Sequence, residues 1–373
     1  MYLYAGFTVM GKTGKISKSH QSMNNGYHDI VHWIRGNIYG GRLKPSDKLP
    51  SQMELTKKFG VSNQTVQRAI AHLKRQGLVL PCQKTGSLIS EKASMSPIVG
   101  LALPETFPPY RKESIYWNCL ATTAKSMKSD RFSIRPYFGL ELWHPISDIK
   151  KLISDMKGHE INGIIFPADI KQLDNTPVMS LSGIPRIFIT AIILDDYYKK
   201  KYDGFIIIPC MIEETLLWAA RSGCKRVAVM TELNSYEDTS KIVERLAHDY
   251  GLTIKPHWIM GMDIEKCTLP IRRFTNFLFS SEKANRPEAL IVLDDNMLKL
   301  AVQGIMDAGL SVPDDVLLIS HSNFPNPVEC PLPVKRFGVD VRTLLEKSVE
   351  MIRLYWKNGS MPPPIKAPFV TGD

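Results

Sequence analysis

The sequence predicts an α/β protein in two unequal parts: an N-terminal winged helix-turn-helix and a larger two-lobed body of parallel sheets flanked by helices. Three observations carry this. Residues 1–92 hold 14 Lys/Arg against 4 Asp/Glu, while residues 93–373 hold 33 of each, so about a quarter of the chain carries the whole net charge of +10. That quarter contains three short amphipathic helical patterns and then two short strands. The remainder alternates continuous apolar runs with helical patterns, the signature of parallel strands covered on both faces. A chain of 373 residues, 44% hydrophobic and 23% charged with mean hydropathy −0.12, is an ordinary globular composition for two or three domains. Collagen, wholesale disorder and a pure coiled coil are excluded.

Boundaries follow from composition. Residues 11–26 are rich in Lys, Ser, Gly and Asn, so 1–26 reads as a flexible leader. The polar stretch 91–97 falls where the charge balance changes and is taken as the linker, with the head at 27–90 and the body at 98–373. Met1 to Met10 is apolar but short, with no basic segment before it, and is no convincing signal peptide. The longest apolar runs, such as 205–208 and 289–293, fall far below the ~20 residues that span a bilayer. The six cysteines are scattered, with no C-x-x-C, which suits reduced thiols in a cytoplasm and neither a zinc site nor a disulfide framework.

Within the head, Ile30, Val31, Ile34 and Ile38 recur at helical spacing, and Gly40-Gly41 ends the helix. Ser51 with Glu54 three residues on forms a capping box for the second helix, which closes near Phe59-Gly60. Ser62 can cap the third helix, whose stripe Val66, Ala69, Ile70 and Leu73 faces inward. Residues 78–81 and 87–89 read as strands around a wing carrying Lys84.

The opposite face of the third helix presents Asn63, Gln64, Gln67, Arg68 and Lys74. A helix N-terminus favours phosphate, and Asn or Gln amides match the donor–acceptor pair of adenine in the major groove. A solvated polar face is the plain alternative; confinement of the +10 to this module favours DNA. The expected DNA contacts are Ser51, Gln52, Ser62, Asn63, Gln64, Thr65, Gln67, Arg68 and Lys84.

Residues 44–89 resemble the DNA-binding domain of the GntR family. Gly41-Arg42-Leu43-Lys44-Pro45-Ser46-Asp47-Lys48-Leu49-Pro50-Ser51 is similar to that family's G-x-L-x-P-G-x-x-L-P-S approach to helix two. Phe59-Gly60-Val61-Ser62 with Thr65-Val66 matches its GVS-x-x-TV turn, and Leu73 with Gly77-Leu78 its exit. The family commonly places arginines where this chain has Met53, Asn63 and Gln67, which implies a changed operator with more adenine readout and weaker affinity per head. Lys48, Lys57, Lys58, Arg68, Lys74 and Lys84 remain to neutralise phosphate.

In the body, strands are expected at 98–103, 133–138, 163–166, 186–190, 204–208, 226–231, 256–260, 289–293, 316–320 and 334–339. Helices are expected near 112–128, 146–158, 211–222, 238–250, 268–281, 295–308 and 341–357. Ten strands suit two lobes with a cleft better than one wide sheet, and ligands of such sheets sit at the strands' carboxyl ends. Ala289-Leu290-Ile291-Val292-Leu293-Asp294-Asp295 and the stretch from Ala308-Gly309-Leu310 to Val316 resemble the periplasmic-binding-protein-like effector domain of LacI/GalR regulators. Sugar-binding members of that family use an Arg, an Asn and an Asp in positions that align here with Thr239, Asp294 and Ser322. Only Asp294 keeps a strong polar group. Tyr110, Trp117, Trp143 and Tyr236 are candidate stacking rings, with packing the favoured reading of each; with Tyr110 the effector set is Tyr110, Thr239, Asp294 and Ser322.

Other constellations are weaker. His28 and His32, four apart with no third ligand, read as an exposed helix face rather than a metal site. The charge run 195–201 reads as a solvated loop near the hinge. No Walker A, G-x-S-x-G or H-E-x-x-H motif is present, and neither a cofactor nor a metal is expected. The resulting expectation is a cytoplasmic, dimeric transcriptional regulator that binds a palindromic duplex operator and answers to a small molecule such as a sugar, with no membrane partner. Its rivals are the same head on a ligand-free dimerisation scaffold, and a GntR-headed enzyme, which needs a cofactor lysine and a longer body.

Overall fold

The computed structural model describes residues 25–82, 86–91, 97–105, 115–127, 132–141, 147–181, 183–191, 195–264 and 268–373. The head opens with α1 (Asn25–Tyr39), α2 (Gln52–Phe59) and α3 (Asn63–Arg75), followed by the antiparallel pair β1 (Val79–Cys82) and β2 (Gly86–Ile89). Local chemistry sets the helix ends. Ser51 accepts from the Glu54 N–H while the Glu54 carboxylate accepts from Ser51 N–H, and Gly60 closes α2 at φ 63° in the left-handed region. Val66, Ala69, Ile70 and Leu73 are buried against Ile30, Val31, Ile34 and Leu55, the stripe that the spacing predicts.

The body runs β3 (Ile98–Ala102), α4 (Ile115–Ser126), β4 (Ser133–Tyr137), α5 (Ile149–Lys157), β5 (Gly163–Phe166), α6 (Pro177–Ser180), β6 (Arg186–Thr190), α7 (Asp196–Lys201) and β7 (Gly204–Ile207). It continues α8 (Met211–Arg221), β8 (Val227–Glu232), α9 (Tyr236–Asp249), β9 (Ile259–Met262), α10 (Thr268–Phe279), β10 (Ala289–Val292) and α11 (Leu298–Asp307). Last come β11 (Leu317–Phe324), β12 (Lys335–Asp340), α12 (Val341–Asn358), β13 (Ile365–Lys366) and β14 (Phe369–Gly372). The N-lobe sheet has the order β13-β7-β6-β5-β3-β4 and is parallel throughout; the C-lobe sheet is β14-β12-β11-β10-β8-β9, with β14 antiparallel. Each sheet is covered on both faces. Ile187 and Ile189 enter one core cluster and Phe188 the other, as Leu290 and Val292 do opposite Ala289 and Ile291. That is why the strands read as unbroken apolar runs.

The chain crosses between lobes after β7, after β12 and after β13. α12 leaves a C-lobe strand yet buries Leu344, Leu345, Val349, Ile352 and Trp356 in the N-lobe core. Several expectations shift. The run at 195–201 is not a loop: Asp195 caps α7 by accepting from the Tyr197 and Tyr198 N–H groups, and Lys201 pairs with Asp169 and Asp174. β11 extends four residues past its expected end, and the strands β13 and β14 were not foreseen because short edge strands carry little periodicity.

The largest departure concerns α1. It is not exposed along one face; Ile30, Val31 and Ile34 enter the head core while His32, Arg35 and Gly36 are buried against the body. A β-carbon at Gly36 would stand 2.6 Å from a Trp356 ring carbon, and one at Gly183 would stand 2.4 Å from the His32 ring. Arg42 donates to the carbonyls of Trp356 and Lys357, and the Gln76 amide donates to Gly158 O at 2.7 Å. Head and body therefore meet through a close-packed contact. Of the expected linker 91–97, residues 92–96 lie outside the described residues.

Candidate functional site

The first candidate surface is the outward face of α3. Ser62 caps the helix by accepting from Thr65 N–H at 3.2 Å, and the two hydroxyls lie 3.0 Å apart. Asn63, Gln64, Gln67 and Arg68 are exposed, with Gln67 Nε2 donating to Gln52 Oε1 at 3.3 Å. This bond ties the two helices of the turn together and holds two amides side by side. Arg68 lies 5.7 Å from the Tyr27 ring, and Met53 stands 79% exposed on α2. A groove of about 580 Å³ runs between α2, α3 and β2, lined by Lys48, Ser51, Gln52, Glu54, Lys74 and Ser87. Hydrogen bonds from Ser51 hold the Glu54 carboxyl below its ordinary value, so it stays charged as the α2 capping partner. Lys84 lies outside the described residues. Of the remaining eight expected DNA residues, Ser51 and Ser62 are helix caps, Thr65 pairs with Ser62, Gln52 and Gln67 pair with each other, and Asn63, Gln64 and Arg68 are exposed.

The second candidate lies at the carboxyl ends of the C-lobe strands. Asp294 follows β10, is buried, and accepts from both the backbone N–H and the side-chain amide of Asn296 at 2.9 and 2.8 Å. Thr239, in the first turn of α9, is buried with its hydroxyl unpartnered. Ser322, in β11, is fully buried and receives the Arg336 guanidinium at 3.3 Å, so its hydroxyl is engaged within the sheet. Tyr110 and Trp143 lie outside the described residues, Trp117 belongs to the N-lobe core, and Tyr236 packs on Gly261.

Alternation along β11 brings up residues that the alignment passed over. Ser320, His321, Ser322 and Asn323 are all buried, an unusual polar run for a central strand. Asn323 donates to Asp295 Oδ2 at 2.8 Å and His321 Nδ1 lies 3.6 Å from Asp295 Oδ1, opposite the Ser322–Arg336 side. α4 spans the lobes here: Ile115 N–H donates to Asn296 Oδ1 at 3.2 Å and the Cys119 thiol approaches Asn323 O at 3.8 Å. Tyr116 on the same helix is buried, its hydroxyl has no partner, and burial pushes its pKa up. Buried polar atoms without partners are uncommon and cost about 1–3 kcal/mol each. The Tyr116 hydroxyl on α4, Thr239 Oγ1 in the first turn of α9 and Asn323 Oδ1 near the end of β11 are three such atoms. The sequence signal was the S-H-S-N run ending an apolar strand.

Among the described residues no group of three or more His, Cys, Asp or Glu is placed to hold a metal ion, and no helix is long and apolar enough to cross a membrane.

Two stretches of the chain match known families. Residues 26–89 match the bacterial regulatory proteins of the gntR family, and residues 219–363 match a periplasmic binding protein-like domain. The chain is 22% identical over 317 residues to the arabinose metabolism transcriptional repressor of Geobacillus stearothermophilus, across 79% of this chain and 80% of that protein. Over 66 residues it is 38% identical to the mannosyl-D-glycerate transport/metabolism system repressor of Escherichia coli, across 18% of this chain and 28% of that protein. A LacI family transcriptional regulator from an Arthrobacter species, solved in complex with lactose, superposes with TM-score 0.53 at 15% identity over 74% of this chain and 97% of its own. At that identity the likeness is one of fold.

Proposed function

The chain joins a GntR-family helix-turn-helix domain to a periplasmic-binding-protein-like domain, and we propose that it is a ligand-responsive transcriptional regulator, a repressor of genes for the use of a sugar or related compound. The observation that carries the DNA half is the amide-rich face of α3, open to solvent on the part of the chain that holds the entire excess of positive charge. Asn63, Gln64 and Gln67 read base edges, while Lys48, Lys57, Lys58 and Arg68 neutralise phosphate. The Geobacillus and Escherichia relatives named above are repressors, and catalysis has no part in this reading.

The ligand half rests on buried polar atoms left without partners on α4, α9 and β11. The Tyr116 hydroxyl, Thr239 Oγ1 and Asn323 Oδ1 lack partners, and ligand hydroxyls would supply them. Asp294 and Asp295 contribute acceptors. A ligand that closes the cleft biases the two heads through the lobe that carries them. The same observation weighs against a ligand-free scaffold, which has no use for unpaired buried polar groups.

A homodimer completes the proposal. Leu269, Phe274 and Phe277 on α10 and Met306 on the adjoining α11 are 50%, 41%, 75% and 53% exposed, large apolar side chains open to a partner, with the Phe274 and Phe277 rings 6.5 Å apart. Two-fold pairing through this face suits a palindromic operator.

The test is selection of bound duplexes from a random library, followed by titration of the recovered site at several salt concentrations. Recovery of a two-fold symmetric site, with log K falling against log salt at about −0.9 per phosphate neutralised, supports the reading; no enrichment overturns it. Thermal shift against sugars and nucleosides tests the ligand half separately.

A further inference from the structure

The contact between head and body is built from histidines. The His159 ring of the N-lobe lies 5.2, 5.1 and 5.4 Å from those of His28, His32 and His72 of the head. His28 Nδ1 and His159 Nε2 share a hydrogen bond at 3.2 Å, and His32 stacks on Trp356 with the planes 7° apart. His159 holds φ at 56°, in the left-handed region, where the chain leaves α5 for β5. Tyr27 edges onto His28 and His72. His32 Nδ1, His72 Nε2 and His159 Nδ1 are buried without partners.

The charges around the cluster are mostly positive. Arg35 is buried among the histidines, bonded to the Tyr39 hydroxyl and Asn162 Oδ1, with Nη1 unpartnered and, among the described residues, no carboxylate paired with it. Arg75 faces His72, Arg68 and Arg75 face Tyr27, and Arg42 bonds the end of α12. From the carboxylates, Asp29 acts on His28. Any proton added to the cluster therefore places a new cation beside Arg35 in a site with little water.

We propose that this interface is an acid-sensitive latch: His28, His32, His72 and His159 hold the winged helix docked on the N-lobe while neutral and release it when protonated. α3 carries His72 on its inner side and the DNA-facing amides on its outer side, so docking fixes the bearing of the reading face relative to the body. Release frees the head from the N-lobe and with it the bearing of the reading face.

Protonation equilibria have the sign that the latch needs. Burial, then the charge of Arg35 and the neighbouring His28, pushes His32 down to about 3. Burial, then His32 and Arg35, pushes His159 down to about 2. His28 and His72 are also lowered, chiefly by burial, with Asp29 and the Gly158 carbonyl working against the shift. The docked state thus binds fewer protons than the released one. Docking is at full strength above the ordinary imidazole value of ~6.5 and weakens as pH falls below it. At pH 5.5 each imidazole that must stay neutral disfavours docking about tenfold, so His32 and His159 together contribute about a hundredfold.

The experiment uses the full chain without DNA or ligand, so its outcome is independent of the function proposed above. Hydrogen exchange, corrected for intrinsic chemical rates, and small-angle X-ray scattering are measured at pH 7.5 and 5.5. The expected result is tenfold or faster exchange in α1, around Gly158–Asn162 and in the last turns of α12 at pH 5.5, with a larger radius of gyration and both lobe sheets still protected. Gly36→Leu, which forces a side chain against Trp356, is expected to behave as released at both pH values. The H32F/H159N double variant, which keeps the stack and tolerates the left-handed backbone, is expected to stay docked at both. Equal protection of the wild-type interface at the two pH values, loss of protection in the lobe sheets over the same range, or acid release that persists in a folded double variant would each overturn the proposal. The wild-type measurement decides by itself if that variant does not fold.

Discussion

The imidazole of His32 lies flat on the indole of Trp356, ring centres 5.4 Å apart, joining the first helix of the head to the long helix that closes the N-lobe. The indole also donates to Asn162 O at 2.8 Å. One side chain therefore serves the N-lobe core and the docked head together.

Trp356→Ala removes both contacts and opens a cavity in the N-lobe core. The expected cost is about 3–5 kcal/mol of stability, read as a lower urea midpoint. Hydrogen exchange in α1 should rise with it; a protected α1 in the variant would show that the head docks by other means.

On the reading face, Gln67→Ala and Asn63→Ala are expected to weaken binding to the selected duplex by about 1–3 kcal/mol each while leaving the thermal midpoint unchanged. Ser62→Ala should act the other way round first, costing about 1 kcal/mol of stability through the lost α3 cap. Fluorescence anisotropy beside thermal denaturation separates the two effects.

Phe277 is the most exposed of the four apolar side chains on α10 and α11. Phe277→Ser is expected to shift the sedimentation profile toward monomer and to shorten the bound footprint to one half-site. An unchanged sedimentation coefficient would remove this face from the dimer.

Glu288 joins the starts of β8 and β10: its carboxylate accepts from Lys225 N–H at 2.6 Å and Arg226 N–H at 3.1 Å and pairs with the Arg226 guanidinium. Burial acts to raise its pKa, but those backbone hydrogen bonds and the Arg226 charge win and hold it below the usual glutamate range. A lowered pKa means a contribution present above the unfolded value near 4.5 and lost as pH falls through the folded one. Glu288→Gln should therefore lower stability at pH 7 and flatten its decline on acidification, as followed by urea unfolding between pH 7 and pH 3.

Much of the head was legible because its signals are local. The Ser51–Glu54 capping box, the Ser62 cap and the Val66–Leu73 stripe each involve residues three or four apart, and each formed as the spacing implies. The strands of the body were legible for a different reason: burial on both faces leaves an unbroken apolar run. The run 195–201 is solvated at Lys199 and Lys200 as expected, but it is a capped helix rather than a loop, and Lys201 is folded back onto Asp169 and Asp174, far off in sequence.

By itself, then, the sequence determined a basic winged helix with an amide-rich reading face and two parallel α/β lobes, since hydrophobic periodicity, capping and charge segregation are properties of neighbouring residues. Tertiary structure alone decided that Ser322 turns to Arg336 while His321 and Asn323 turn to Asp295, and that His28, His32 and His72 gather around His159. His28 and His159 stand 131 positions apart. Their meeting depends on how α1 packs against the end of α12, a relation between distant surfaces that no periodicity along the chain encodes.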